Sequence, residues 1–221
     1  MFLNDDNPHE AYNNEDLCFV AQPLKDNNIS YNNIVVPLMM CDMWDIICDN
    51  PNLISQLRGN EKKYEFGFVG SCVNARRDIL RHLRLESFLF ETDMVPIWNM
   101  SREQKHKNIK DYLYKMSQCK FVFAPRGLGS SSFRLYESLS VGSIPIITGD
   151  IELPFNDQVM WDSFSVRGDI ENLHELASDC SDMCDTSYCR MRIKAMEFWD
   201  NYCIHDKLYV KLSDIINNKK N

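Results

Sequence analysis

The stretch FVFAPRGLGSSSFRLYESLSVGSIPIIT, residues 121–148, constrains the fold of this chain more than any other segment. Two apolar runs at its ends have the length of buried strands, and they enclose a small-residue loop and a short amphipathic segment. Gly142 follows that segment at the position where helices commonly end. The stretch therefore predicts a strand, a loop, a helix and a second strand (residues 144–148) in direct succession.

The same alternation continues on both sides of this unit. The run YEFGFVGS (residues 64–71) predicts a strand ending in a turn, residues 75–86 an amphipathic helix, and residues 101–119 a helix capped by Ser101. Further helical patterns cover residues 169–179 and 187–202. Strands that alternate with helices predict an α/β fold, with a Rossmann-like parallel sheet and helices on both faces.

The pattern also predicts how the chain is divided. Residues 1–30 are rich in Asn and Asp, with few apolar anchors, and we expect a poorly structured or reduced N-terminal lead-in. We expect a Rossmann-like domain over residues 31–205 and a polar C-terminal tail over residues 206–221.

Composition and charge narrow the possible functions. The net charge is −8 and no block of Lys or Arg could follow a phosphate backbone, so nucleic acid is not an expected partner. No apolar run approaches the length of a membrane span, and the first twenty residues are acidic and polar rather than signal-like. We therefore expect a cytoplasmic setting. Nothing in the sequence indicates the oligomeric state.

The 9 cysteines are an odd number, which in that setting favours reduced thiols. The alternative is a zinc site, for which Cys180, Cys184, Cys189, Cys203 and the nearby His205 are the candidates. Their spacings lack paired C-x2-C knuckles, and free thiols are the favoured interpretation.

The loop before the predicted helix favours a bound anion. In open α/β sheets, ligands bind beyond the carboxyl ends of the strands, where helix N-termini present unpaired N–H groups. Glycines allow close backbone approach, serines offer hydroxyls, and arginines can fork onto phosphate oxygens. The candidate residues in this loop and helix start are Arg126, Gly127, Ser130, Ser131, Ser132 and Arg134. A second turn of this kind carries Gly70, Arg76 and Arg77, and two such turns make a diphosphate more credible.

Glu137 shares a predicted helix face with Arg134, opposite Leu135 and Leu139. A carboxylate about 7–8 Å along the axis from the helix start could accept hydrogen bonds from both hydroxyls of a ribose. The alternative is that Arg134 and Glu137 form a solvated ion pair of little consequence.

Neither turn has the spacing of a P-loop or of a dinucleotide-binding fingerprint, which disfavours kinases, NTPases and dinucleotide enzymes.

Taken together, these residues resemble the exostosin family of glycosyltransferases. The resemblance rests on Y-x-x-x-M-x-x-C-K-F-V-F-A-P-R-G-x-G-x-x-S-x-R-L-Y-E-S-L-x-x-G-x-I-P-I-I-x-x-D (residues 112–150), LPF (153–155) and W-x-x-F-S-V (161–166). Earlier segments, NIVVPL and FGFVGS…ARRDIL, also match in the family's order. The chain is similar in size to the short exostosin-like transferases of some large DNA viruses.

The resemblance implies the nucleotide-sugar-binding half of a GT-B glycosyltransferase. It implies an inverting enzyme that moves a sugar from a UDP-sugar to a saccharide acceptor without a metal or other cofactor. Arg126, Ser132 and Arg134 match positions expected to hold the diphosphate, and Glu137 matches the carboxylate expected at the ribose. Arg76 or Arg77 matches an arginine that neutralises the leaving group.

The chain departs from the family in having few residues before the first matched strand, and we expect the acceptor-binding domain to be missing or reduced. This leaves open a noncatalytic nucleotide-sugar-binding module or partner subunit as the alternative function. The catalytic base is also unassigned. Asp150 is the main candidate for this base, and His9 and Asp93 are further candidates. Arg134 and Glu137 are the other residues expected to take part in catalysis. Which sugar is transferred stays open.

Overall fold

The computed structural model describes residues 2–3, 17–20, 32–38, 41–70, 80, 83–92, 100–126, 131–149 and 151–219. Its strands are β1 (Phe2–Leu3), β2 (Leu17–Val20), β3 (Asn32–Val35), β4 (Tyr64–Val69), β5 (Phe88–Glu91), β6 (Cys119–Pro125), β7 (Ile144–Thr148) and β8 (Val166–Gly168). Its α-helices are α1 (Cys41–Asp49), α2 (Leu53–Arg58), α3 (Arg102–Ser117), α4 (Phe133–Ser140), α5 (Leu173–Ser181), α6 (Asp185–Phe198) and α7 (His205–Lys219). Single turns of 3-10 helix cover Trp161–Ser163 and Ile170–Asn172, and a π-helical segment, Trp199–Cys203, joins α6 to α7.

The main sheet is parallel throughout and has the strand order β5-β4-β6-β7-β8 within the described residues. Phe66 of β4 pairs with Phe88 of β5 on one side and with Phe121 of β6 on the other, and Phe121 in turn pairs with Ile144 of β7. β6 is almost entirely buried, as expected for a strand covered on both faces. The prediction of an α/β fold with a Rossmann-like parallel sheet is confirmed.

Two hydrophobic clusters cover the two faces of this sheet. Along β6 the side chains alternate, with Val122 and Ala124 in the first cluster and Phe121 and Phe123 in the second. The first cluster contains residues of α3, α4 and α7 and of the π-helical segment, whereas α5 packs in the second. Helices therefore lie on both faces, as the sequence predicts.

Two segments outside the main sheet bear on the predicted organisation. β1 and β2 lie in the expected lead-in, and β2 pairs with β1 on one side and with β3 on the other in a parallel three-stranded sheet. The helix α7 (His205–Lys219) covers most of the expected polar tail, residues 206–221. Four aliphatic residues at helical spacing pack this helix against the first cluster: Leu208, Leu212, Ile215 and Ile216. The polar residues between these four aliphatic residues made the amphipathic pattern difficult to recognise in the sequence.

The six cysteines whose side chains the structure describes form no disulfide and occupy two kinds of environment. Cys119, Cys180 and Cys203 are buried, whereas Cys48, Cys184 and Cys189 are exposed. Burial raises the pKa of the Cys119 and Cys180 thiols to about 12, as is typical of inert thiols in a core. Cys180 lies in the second cluster and Cys203 in the first, so the sheet separates them. Among the described residues no three His, Cys, Asp or Glu side chains gather as metal ligands would.

Candidate functional site at the carboxyl edge of the sheet

The order of the strands creates a crevice between β4 and β6. β5 lies on one side of β4, and the chain then returns through α3 to place β6 on the other side. The connection after β4 leads to Leu80 and Leu83 in the second cluster, whereas α4, after β6, packs in the first. The chain therefore leaves these neighbouring strands toward opposite faces. Such a switch point is where open α/β sheets bind ligands.

Gly70 and Arg134 meet at this switch point. Arg134, near the start of α4, donates its Nε to the carbonyl oxygen of Val69, the last residue of β4, at 3.0 Å. Gly70 follows with a φ of 144°, which side chains rarely permit, and a Cβ at this position would collide with Nη2 of Arg134. The structure thus brings together one residue from each of the two turns that the sequence singled out.

The Arg134 guanidinium is held by more than this hydrogen bond. Its central carbon lies 4.3 Å from the centre of the Phe68 ring, an arrangement in which the ring face attracts the positive charge. The residue is only 7% exposed. A buried arginine that stacks on a ring and bonds a carbonyl is restrained in position, while its remaining N–H groups can serve an anion.

Glu137 lies one turn further along α4 and is 5% exposed. Its Oε2 accepts a hydrogen bond of 2.6 Å from the hydroxyl of Tyr112, which belongs to α3. Burial raises the pKa of the Glu137 carboxyl above its ordinary range, although the Tyr112 hydrogen bond and the positive charge of Arg134 both oppose that rise. Burial and the neighbouring carboxylate raise the pKa of Tyr112 even more strongly.

These positions rule out the solvated ion pair considered as an alternative. Arg134 and Glu137 are both buried, and each bonds a group on another element instead of the other. The sequence placed both residues on one helix face, opposite Leu135 and Leu139, but did not predict that this face is covered. α3 and α6 pack on α4, so every residue of α4 after the exposed Phe133 is buried. The helix pattern alone could not reveal how many neighbours this helix has.

Ser131 and Ser132 lie at the start of α4, as the sequence predicts. Ser132 is the N-cap residue and has the extended backbone that this position requires, yet its side chain makes no capping hydrogen bond. Ser131 is 3% exposed. Its hydroxyl has no hydrogen-bond partner of ordinary geometry. Both residues lie between the carboxyl end of β6 and the first residue of α4, and the Ser131 hydroxyl lies near the hydroxyl of Tyr136 in α4.

Arg126 occupies the end of β6, beside the end of β7. Its backbone N–H points to the carbonyl oxygen of Thr148 at 3.4 Å, and a Cβ on Gly149 would lie 3.8 Å from the Arg126 Cβ. Next to Gly149 the surface opens into a groove of about 680 Å³ at the ends of β7 and β8, lined by residues that include Asp162, Arg167 and Asp169. Nothing in the sequence predicted this groove.

Several predicted site residues lie outside the described residues: Arg76, Arg77, Gly127, Ser130 and Asp150, together with the alternative bases His9 and Asp93. Their proposed roles stay predictions. Nothing in the helical pattern indicated a role for the Tyr112 hydroxyl, because Ile109, Tyr112, Leu113 and Met116 have the spacing of one apolar helix face. The available signal was a phenol within an otherwise apolar stripe, since a buried tyrosine hydroxyl usually has a partner.

Comparisons with known proteins identify the family. The model of the Exostosin GT47 domain matches residues 23–180 of this chain. Exostosin-1c of Danio rerio is 30% identical over 111 residues, which is 49% of this chain and 15% of that protein. Exostosin-1 of Mus musculus is 26% identical over 111 residues, covering 45% of this chain and 15% of that protein.

A plant protein with a similar sequence supports the same family. A "probable glycosyltransferase" of Arabidopsis thaliana is 30% identical over 82 residues, which is 37% of this chain and 17% of that protein. The matched part thus spans about one sixth of the length of these curated relatives. No helix in the described part of the chain has both the length and the apolar character of a bilayer-crossing segment. The family match covers more than half of the sequence, and the chain belongs to the exostosin family of glycosyltransferases.

Proposed function

We propose that this chain transfers a sugar from a UDP-sugar to a saccharide acceptor, with inversion at the anomeric carbon, as the nucleotide-sugar-binding half of a GT-B architecture. Family membership supports the reaction class. The observation that carries the proposal is the position of Arg134, which α4 holds against the end of β4 at the switch point of the sheet. An arginine fixed there suits a bound diphosphate.

In this proposal the diphosphate lies between the ends of β4 and β6. Arg134 and Arg126 contact its oxygens, the hydroxyls of Ser131 and Ser132 and the N–H groups at the start of α4 add neutral donors, and Arg76 or Arg77 completes the positive charge. When the bond between the sugar and UDP breaks, the leaving diphosphate gains negative charge. Positive groups fixed beforehand at that place stabilise the transition state more than the ground state.

Glu137 binds the ribose in the same proposal, as a hydrogen-bond acceptor one turn away from the diphosphate. Asp150 is the proposed base that accepts the proton of the acceptor hydroxyl. Its neighbours in the chain, Gly149 and Ile151, line the groove at the carboxyl ends of β7 and β8. The acceptor oxygen then bonds to the anomeric carbon from the face opposite to the leaving UDP, and this direction of attack produces inversion.

The test is an assay of UDP release from a panel of UDP-sugars, with and without saccharide acceptors. We expect release with at least one donor, and its loss in Asp150→Asn but not in the control Asp157→Asn, which changes an exposed residue. Binding of UDP without any turnover would instead favour the noncatalytic module. A protein that neither binds UDP nor releases it from any donor would contradict the proposal.

The proposal includes independence from metals, since arginines and a helix N-terminus balance the charge of the leaving group. We expect turnover to be unchanged after treatment with EDTA. Loss of activity on chelation, with recovery on addition of Mn²⁺, would show that a cation shares this role.

A further inference from the structure

The Tyr112 hydroxyl is a polar group in an apolar interface. Tyr112 lies in the middle of α3, on the face that also carries Ile109, Leu113 and Met116, and all four residues belong to the first hydrophobic cluster. Its hydroxyl reaches across to α4 and donates to Oε2 of Glu137 at 2.6 Å. A phenylalanine would fill this space equally well without any polar atom.

For the fold alone this arrangement is costly. It removes a carboxylate and a phenol from water, and apolar side chains of similar volume at buried polar pairs are often neutral or stabilising. Burial raises the pKa of the Glu137 carboxyl, so the fold itself disfavours the charged form there. The described residues whose charge or hydrogen bond favours the ionised form are Tyr112, from α3, and Arg134, from α4 itself.

We infer that Tyr112 is a positioning residue for the donor site: its hydroxyl fixes the orientation of the Glu137 carboxylate and helps to keep it ionised for a vicinal diol of the ligand. This inference rests on the proposed function, because the diol is the ribose of the UDP-sugar. A carboxylate held by one strong hydrogen bond loses little freedom when it binds a second group. Tyr112 itself does not touch the reacting atoms.

The test is Tyr112→Phe, which removes one oxygen and preserves the packing of the ring. We expect uridine and UDP to lose the same factor of affinity, roughly three- to thirtyfold, because the ribose is common to both. Tyr114→Phe, on the same helix but 46% exposed, is the matched control and should bind both ligands normally.

The dependence of uridine binding on pH separates positioning from a merely structural role. Uridine has no group that titrates in the acid range, so loss of its binding at low pH reports protonation of Glu137. The Tyr112 hydrogen bond lowers the pKa of this carboxyl, and its removal should move the midpoint of that loss to higher pH. A structural defect would lower affinity at every pH and leave the midpoint unchanged.

The double variant Tyr112→Phe/Glu137→Gln tests whether the two residues act together. It can also replace the single variant Tyr112→Phe if that variant folds poorly, because the double variant buries no charge beside the lost hydroxyl. Its loss of uridine affinity should match that of Glu137→Gln alone, and additive losses would overturn the inference. The inference would also be overturned if Tyr112→Phe kept the affinity and the pH profile of the wild type. If Arg134→Gln still weakened UDP binding in that case, the proposed function would remain intact. A wild-type protein that does not bind UDP would overturn both.

Discussion

Tyr112 and Glu137 join α3 to α4 through a hydrogen bond of 2.6 Å between the phenol hydroxyl and Oε2 of the carboxylate. The distance lies in the range of charge-assisted O–H···O⁻ bonds, which are about twice as strong as neutral ones. Arg134 approaches from the same helix and is fixed at the end of β4. The interior of a Rossmann-like domain thus contains a carboxyl group, a phenol and a guanidinium beside the switch point of its sheet.

Glu137→Gln should stabilise the protein at neutral pH while it weakens binding of the nucleoside. Because burial raises the folded-state pKa of Glu137 above its ordinary value of 4.5, the native state binds more protons than the unfolded state between these two values. Wild-type stability therefore falls as pH rises through this window, whereas glutamine has no such dependence. We expect a gain of about 0.5–2 kcal/mol at neutral pH, as is common for substitutions at functional sites, and a smaller gain in acid.

Urea unfolding of Glu137→Gln at several pH values checks this, with the exposed Glu175→Gln as control. Lower stability than wild type at neutral pH would show that the carboxylate holds the fold together.

Gly70→Ala should displace Arg134. The backbone φ of 144° is strained for alanine, and the added Cβ would collide with the guanidinium. We expect a loss of about 1–3 kcal/mol in the free energy of unfolding and a weakening of UDP binding that exceeds the weakening of uridine binding. Calorimetry and thermal unfolding measure both effects. Gly59→Ala, at the exposed end of α2 with an ordinary φ of −78°, is the control. If Gly70→Ala bound UDP with normal affinity, the claim that Gly70 belongs to the nucleotide site would be contradicted.

Lys62, at the opposite edge of the sheet, should make stability depend on pH. Its Nζ donates to the carbonyl oxygen of Ser117 at 2.8 Å and to Oγ of Ser143 at 2.9 Å. Burial lowers its pKa from 10.5 to about 7, and the positive charge of Arg192 adds to this shift. Between these values the unfolded state binds more protons than the native state, so stability rises with pH.

The variant Lys62→Met should lack this rise. The wild-type free energy of unfolding, relative to the variant, should increase with a slope that approaches about 1.4 kcal/mol per pH unit above pH 7. Urea unfolding at pH 7, 8 and 9 provides the slope, and the exposed Lys63→Met should behave like wild type. Parallel curves for wild type and Lys62→Met would mean that Lys62 is protonated in the fold throughout this range.

Local patterns predicted much of this fold because they carry its main determinants. The apolar runs at β4, β6 and β7 gave the parallel sheet, and Ser101 with Gln104 forms the capping box that begins α3. Gly142 lies just beyond α4 with a φ of 67°, where glycine is favoured. Each of these signals depends on neighbours in the sequence.

The features that the sequence did not predict depend on distant neighbours. The sequence indicates which helix face carries Glu137, but not that Tyr112, 25 residues earlier in the chain, lies against it. Lys62 is a charged residue in a polar segment, and it is half-buried because its Nζ donates to Ser117 and Ser143, which lie 55 and 81 residues away in the chain. Helical spacing shows which residues share a face, but not how many elements cover that face.

Calorimetry of UDP and uridine binding to Arg134→Gln and Glu137→Gln tests the central claim most directly, with Arg190→Gln and Glu175→Gln as controls at exposed positions. Loss of a charge-assisted hydrogen bond costs about 1.5–3 kcal/mol, or roughly tenfold to a hundredfold in affinity. Arg134→Gln should weaken UDP by this factor and uridine far less, because it removes a phosphate contact. Glu137→Gln should weaken both ligands equally, because they share the ribose. Wild-type UDP affinity in both folded variants would contradict the assignment of this crevice as the nucleotide site.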